Sequence, residues 1–195
     1  MGILEVFKGS GLRAPGRVRH NGKRVSEILE THERFVRGDD TGTRADFSSA
    51  ELSHVDFRRA NLAYADFRGA NLDAANLREA RLSSADLGNA HMRKADLRKA
   101  DLTEANLSGA DLTDALVGGA ELFRADLRST ILRGADLGAA NLRDAQVSGA
   151  DFRGAVLQTT ILRETKLDGA DLSGVDLSTT LLPRDYKPSF PKKSE

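Results

Sequence analysis

The stretch Ala95-Asp96-Leu97-Arg98-Lys99, followed at once by Ala100-Asp101-Leu102-Thr103-Glu104, sets the reading of the whole chain. A large apolar residue stands at the centre of each five, and a small residue stands two places before it. Followed outward in both directions, the register holds from residue 45 to residue 182, so 28 five-residue units succeed one another without an insertion. Repeats fix an architecture before any local propensity does. A period of five suits neither regular element. An α-helix advances about 100° per residue, so a residue repeated every five makes no stripe. A straight strand alternates its faces, so an odd repeat sends successive leucines to opposite sides. A chain that turns a corner every five residues keeps them all pointing at one axis.

The composition of each position agrees with that geometry. The centre is Leu in 21 units, Phe in four (Phe47, Phe57, Phe67, Phe152), Val in two and Met92 in one. Two places earlier stands Ala in 22 units, with Val55, Thr130, Thr160, Thr165, Val175 and Thr180 as the exceptions. Both positions face inward, and Ala leaves room where the walls approach. The residue between them faces outward and is Asp or Asn in 17 units. Glycines at the last position, such as Gly69 and Gly109, suit corners that need positive φ.

These A-(D/N)-L-x-x units resemble the pentapeptide-repeat proteins, and the resemblance covers about 138 residues. It implies an all-β fold, a right-handed quadrilateral parallel β-helix with four units, hence 20 residues, per coil. The near-repetition of Thr159-Thr160-Ile161-Leu162 as Thr179-Thr180-Leu181-Leu182 agrees with that longer period. About seven coils at the spacing of hydrogen-bonded strands make a rod of about 34 Å.

Composition narrows the class further. Aromatic residues are 5% of the chain and Trp is absent, so the core is narrow and aliphatic. There is no cysteine, which excludes disulfide and thiol chemistry. No apolar run approaches a membrane span, and Ile3-Leu4-Glu5-Val6-Phe7 is too short and charged for a secretory core, so a cytoplasmic protein without membrane contact is expected. Net charge is zero but uneven: +3 over residues 1–44, −5 over the repeats and +2 over the tail.

The flanks divide the chain. Residues 1–22 read as a basic flexible arm, since Lys8, Arg13, Arg17, Arg19, Lys23 and Arg24 run without an intervening acid. Residues 23–44 read as a capping helix and hinge. Ser26 is the expected N-cap, Gly38 the stop, and Ile28, Leu29, His32, Phe35 and Val36 form one apolar face. A β-helix ends in an open coil with bare backbone and leucines, and this helix is expected to lie across it. Residues 183–195 form a Pro-rich tail whose Tyr186 and Phe190 are expected to cover the last coil or a partner.

No catalytic, cofactor-binding or metal motif is present: there is no phosphate loop, no HExxH and no Cys/His pairing. Carboxylates such as Asp96 and Asp101 recur with the repeat, which makes them scaffold. Arg58, Arg78 and Arg98 stack beside Asp56, Asn76 and Asp96 if the coil is 20 residues, a charge-compensated ladder. The informative sites are outward positions that ought to be polar and are not: Leu116, Ile131, Val156, Ile161 and Leu181, with Phe123 nearby. Together with Tyr186 and Phe190 they form the candidate interface, since contiguous exposed apolar surface marks contact.

Two functions are expected from these features. The first is a non-catalytic scaffold that binds an unidentified protein partner or forms a homodimer through its C-terminal coils. The second comes from the resemblance, which implies a DNA mimic that binds DNA gyrase or topoisomerase IV and protects them from quinolones. A neutral chain fits that second role poorly. Direct nucleic-acid binding through the basic arm is a weaker third.

Overall fold

The computed structural model describes residues 11–186. The repeat region is one continuous winding in which outward residues pair in parallel with the residue 20 places on, from Asp46↔Asp66 to Ile161↔Leu181, with Val156 and Asp176 as the one interruption among the described residues. Four units therefore make one coil, as expected from the family resemblance. Each unit contributes one short side and one corner.

Across one repeat the five backbone N–H groups divide among four kinds of acceptor, as residues 96–100 show. Asp96 N–H reaches back to the Ala75 carbonyl of the preceding coil, at 2.9 Å. Leu97 N–H and Lys99 N–H reach forward to Leu116 and Gly118, at 2.7 and 3.1 Å. The next inward residue closes the corner, Ala100 N–H donating to the Leu97 carbonyl at 2.9 Å. Only the Arg98 N–H lacks a backbone acceptor, and Asp96 Oδ1 supplies one at 3.1 Å. Asp and Asn dominate the outward position because buried or half-buried amides must be satisfied and these side chains reach two residues on. His91 lacks such an oxygen, and there the Arg93 N–H takes Asp73 Oδ1 from the neighbouring coil instead, at 2.8 Å.

The corners have the φ pattern of a type II turn, with the last residue of the unit left-handed. Glycine fills some of these positions, but Lys94, Lys99 and Glu104 adopt φ of 57 to 59° in the same place. Glycine is thus one solution to the corner rather than its requirement, because the left-handed residue aims its N–H along the stack.

The inward Ala and Leu positions are buried from Ala45 to Leu162, except for the partly buried Ala60. Phe47 stacks on Phe67 with centroids 5.0 Å apart, and Phe57 meets Phe67 edge-on. Where Thr replaces Ala, the hydroxyl donates to a core carbonyl: Thr130 to Leu107, Thr160 to Leu137 and Thr180 to Leu157, at 2.8 to 2.9 Å. In the last coil Leu167, Leu172, Leu177 and Leu182 are only partly buried, with no described coil stacked beyond them.

The N-terminal flank departs from expectation. Residues 11–22, expected as a flexible arm, are folded against the first coil; residues 1–10 of that arm lie outside the described residues. Arg13 adds itself as a parallel bridge beside Val55, accepting the Asp56 N–H and donating to the His54 carbonyl. A 3-10 turn (Pro15–Arg17) follows, then a hairpin of β1 (Arg19–His20) and β2 (Lys23–Arg24), and Val18 is buried in the core cluster. Charge counting missed this because one buried Val and one strand bridge are enough to hold a basic segment. Helix α1 (Val25–Val36) begins earlier than expected. Arg24, not Ser26, occupies the N-cap, and Glu27 turns back to accept the Arg24 N–H at 2.9 Å. Gly38, at φ 78°, follows its end. The link to the first coil passes so close to α1 that a Cβ at Gly42 would lie 2.1 Å from the Phe35 nitrogen, so only glycine fits there.

Leu97 is fully buried, enclosed by its own coil and the coils on either side. Leu97→Ala is expected to lower the unfolding free energy by about 2–5 kcal/mol, measured by denaturant titration. Asp101 Oδ1 accepts the Thr103 N–H at 3.0 Å. Asp101→Ala is therefore expected to cost about 0.5–1.5 kcal/mol, and Asp101→Asn, which keeps that oxygen, close to nothing.

Candidate functional site

The outward residues form four columns, and most of their charge is used within the molecule. Arg68 holds Asp66, Arg128 holds Asp126 and Arg153 holds Asp151, each guanidinium forking onto the carboxylate two residues before it. Those hydrogen bonds keep the three carboxyls below the ordinary carboxylate range. Arg133, from the preceding coil, also reaches Asp151. The expected ladder of Arg58, Arg78 and Arg98 is likewise compensated, Arg58 pairing with Asp56 and Arg98 with Asp96 at 2.6 Å, while Arg78 reaches Glu79 at 3.4 Å. Among the described residues no group of His, Cys, Asp and Glu is arranged to hold a metal ion, and no helix is long and apolar enough to cross a membrane.

The eight expected interface residues do not form one patch. Ile161 and Leu181 are direct neighbours in successive coils, joined by Leu162 N–H to the Leu181 carbonyl and Leu181 N–H to the Thr160 carbonyl, both at 2.9 Å. Val156 lies one corner before Ile161 in the same coil, and it and Leu181 are each 42% exposed. These three belong together. Leu116, 37% exposed, shares the Val156 side but is separated from it by Asp136. Ile131 stands on another side between Asp111 and Asp151. Phe123 requires a correction: Arg124 and Arg143 lie 4.8 and 5.0 Å from its ring centroid, so two guanidiniums cover its face. Tyr186 lines the open C-terminal end with Leu167, Leu172, Leu177 and Pro183. Phe190 lies outside the described residues.

Two features escaped the sequence reading. The half-buried leucines of the last coil match every other central leucine in sequence; only their place at the end of the array distinguishes them. Tyr64 is 52% exposed at a left-handed corner, φ 66°. Its position as the last residue of a unit was the available signal.

Four short sides per coil, parallel pairing at a 20-residue interval and a continuous apolar axis define a four-sided β-solenoid repeat protein. The chain belongs to the pentapeptide-repeat family: the model described as pentapeptide repeats matches residues 43–79, 75–114, 120–158 and 140–182. Proteins of this family form right-handed quadrilateral β-helices.

Among solved structures, a trypsin-treated form of QnrB1, a plasmid-mediated fluoroquinolone resistance protein, is similar at 21% identity over 73% of this chain and 81% of that one, with a TM-score of 0.53. A second trypsin-treated form of QnrB1 gives 23% identity over 72% and 78%, also at 0.53. The pentapeptide repeat protein alr5209 from Nostoc PCC 7120 is 27% identical over 84% of this chain and 88% of its own, with a TM-score of 0.37. No curated protein matches the chain. Likeness at this identity to the QnrB1 structures concerns the fold alone.

Proposed function

We propose that this protein is a non-catalytic protein–protein interaction scaffold: a rod of about seven coils, closed at its N-terminal end by α1, that works in the cytoplasm. The observation that carries this reading is the stacked pair Ile161 and Leu181, with Val156 around the corner, at outward positions that in 17 of the 28 units hold Asp or Asn. Apolar side chains there add nothing to the core, which is already filled by Leu157, Leu162 and the threonines. Beside them, at the C-terminal end, Leu167, Leu172, Leu177 and Leu182 of the last coil are only partly buried. A protein partner, or a second copy of this chain, is the occupant such a surface fits.

A second reading, a DNA-shaped inhibitor that binds DNA gyrase or topoisomerase IV, is supported by the fold it shares with QnrB1. Electrostatics weigh against it. A mimic of B-DNA needs carboxylates free to project negative potential, whereas Asp56, Asp66, Asp96, Asp126 and Asp151 are each held by an arginine of the same molecule.

A pull-down from native lysate with tagged wild type and the Ile161→Asp/Leu181→Asp double variant separates these readings. Both substitutions sit on the solvent side, so the fold is expected to change by no more than about 0.5 kcal/mol per site. The scaffold reading expects a specific protein, or the chain itself, retained by wild type and lost by the variant; identical capture by both sinks it. Separately, a gyrase supercoiling assay is expected to show no protection from ciprofloxacin at large molar excess of this protein. Protection would establish the DNA-mimic role instead.

A further inference from the structure

We propose that His32 is an acid-sensitive latch that holds α1 against the first coil. His32 is completely buried, and its Nδ1 accepts the N–H of Ala45 at 3.0 Å. Ala45 is the first inward residue of the repeat, and its carbonyl in turn accepts the Asp66 N–H at 3.0 Å. One imidazole nitrogen thus joins α1 to the start of the stack. Ile28 and Leu29 pack against the core from the same helix, and the Thr43 N–H donates to the Thr31 carbonyl. The ring lies parallel to Phe35, with centroids 5.8 Å apart.

That geometry admits one protonation state. An accepting Nδ1 must keep its lone pair, so the neutral ring carries its proton on Nε2. Nε2 makes no good hydrogen bond, although the Ala63 carbonyl lies beside it. A second proton would fall on Nδ1 and point at the Ala45 N–H. Two donors would then face each other around a buried charge, with the hydrogen bond lost and the charge stripped of its solvation. The charged neighbours do not rescue it. Glu33 of α1 favours the imidazolium and Arg44, just before Ala45, opposes it; Phe35, Ala45 and Ala63 carry no charge. Burial dominates, and the His32 pKa lies below its ordinary value.

The sign follows from that depression. A free imidazole titrates near pH 6.5, so above about pH 6.5 both docked and released forms are neutral and docking is at full strength. As pH falls below that value, the released helix takes up the proton first and docking weakens. The loss levels off once pH passes below the docked pKa. Acid therefore frees α1 and uncovers the Phe47 end of the core, while the central coils, which hold no such group, stay closed.

Amide hydrogen exchange on the full chain at pH 7.5 and pH 5.0, corrected for intrinsic rates, tests this. Protection of Ala45 and of α1 is expected to fall by up to about thirtyfold, the limit set by a free imidazole of pKa about 6.5, with Leu97 and Leu102 unchanged. His32→Asn places Oδ1 where Nδ1 accepts and cannot be charged, so the pH dependence is expected to vanish whatever the variant's baseline protection. Unchanged wild-type protection, or an equal fall in His32→Asn, overturns the latch. A wild-type NMR titration stands independently of the variant. The His32 ring and the Ala45 amide are expected to move on one pH curve, and ring titration without loss of Ala45 protection also overturns the proposal.

Discussion

Each coil can hydrogen-bond only to the coils before and after it. Where outward residues pair within the repeat, the partner is therefore 20 places away, and nothing closer can replace it. From this the rest follows. A fixed pairing distance forbids an insertion inside the array, because one extra residue would carry every later leucine to the wrong side. Stability becomes a sum of nearest-neighbour terms along the rod, with two ends at which one set of partners is missing. It also explains why a corner recurs every five residues despite its conformational cost. A left-handed non-glycine residue costs on the order of 1 kcal/mol, yet the Lys99 N–H reaches the Gly118 carbonyl only from that conformation.

The same constraint assigns the polar residues. With four of five N–H groups bonded along the stack or across the corner, one remains, and the outward Asp or Asn completes the unit. An Arg two residues on then finds the outer edge of the same carboxylate, as Arg68 does on Asp66 and Arg128 on Asp126. Residues that look like a charged surface are in large part internal joinery. This separates shape from charge: a rod can share the fold of QnrB1 while presenting a field in which most carboxylates already face a guanidinium.

What the sequence made legible was whatever the period controls. The core positions and the corner glycines follow from counting in fives, and the stacking of Ile161 on Leu181 follows from the four-unit coil that the family resemblance implies. What it hid was non-periodic. Arg13 pairing beside Val55 and Val18 entering the core depend on contacts about 40 residues apart that no local pattern encodes. The N-cap was misplaced because Glu27 satisfies the Arg24 N–H with its own side chain, so no Ser, Thr, Asp or Asn was needed there. Phe123 was misread because its cover comes from Arg143, one coil away. Leu167, Leu172 and Leu177 are only partly buried because position in the array, not residue type, decides their burial.

The two ends are not equivalent, and that asymmetry bears on function more than any single side. At the N-terminal end the chain supplies its own neighbours: a strand bridge at Arg13, a buried valine at Val18, and a helix whose Ile28 and Leu29 rest on the core. At the C-terminal end the described chain supplies only Pro183 to Tyr186 beside leucines that remain half exposed. An unpaired coil is both an apolar surface and a row of free backbone groups. The exposed Val156 and Leu181 and the half-buried Ile161 lie within the last two coils, near the partly buried leucines of the end. One occupant covering both would bury more than either offers alone, which is why a recognition surface is better sought at this corner than at the isolated Leu116 or Ile131.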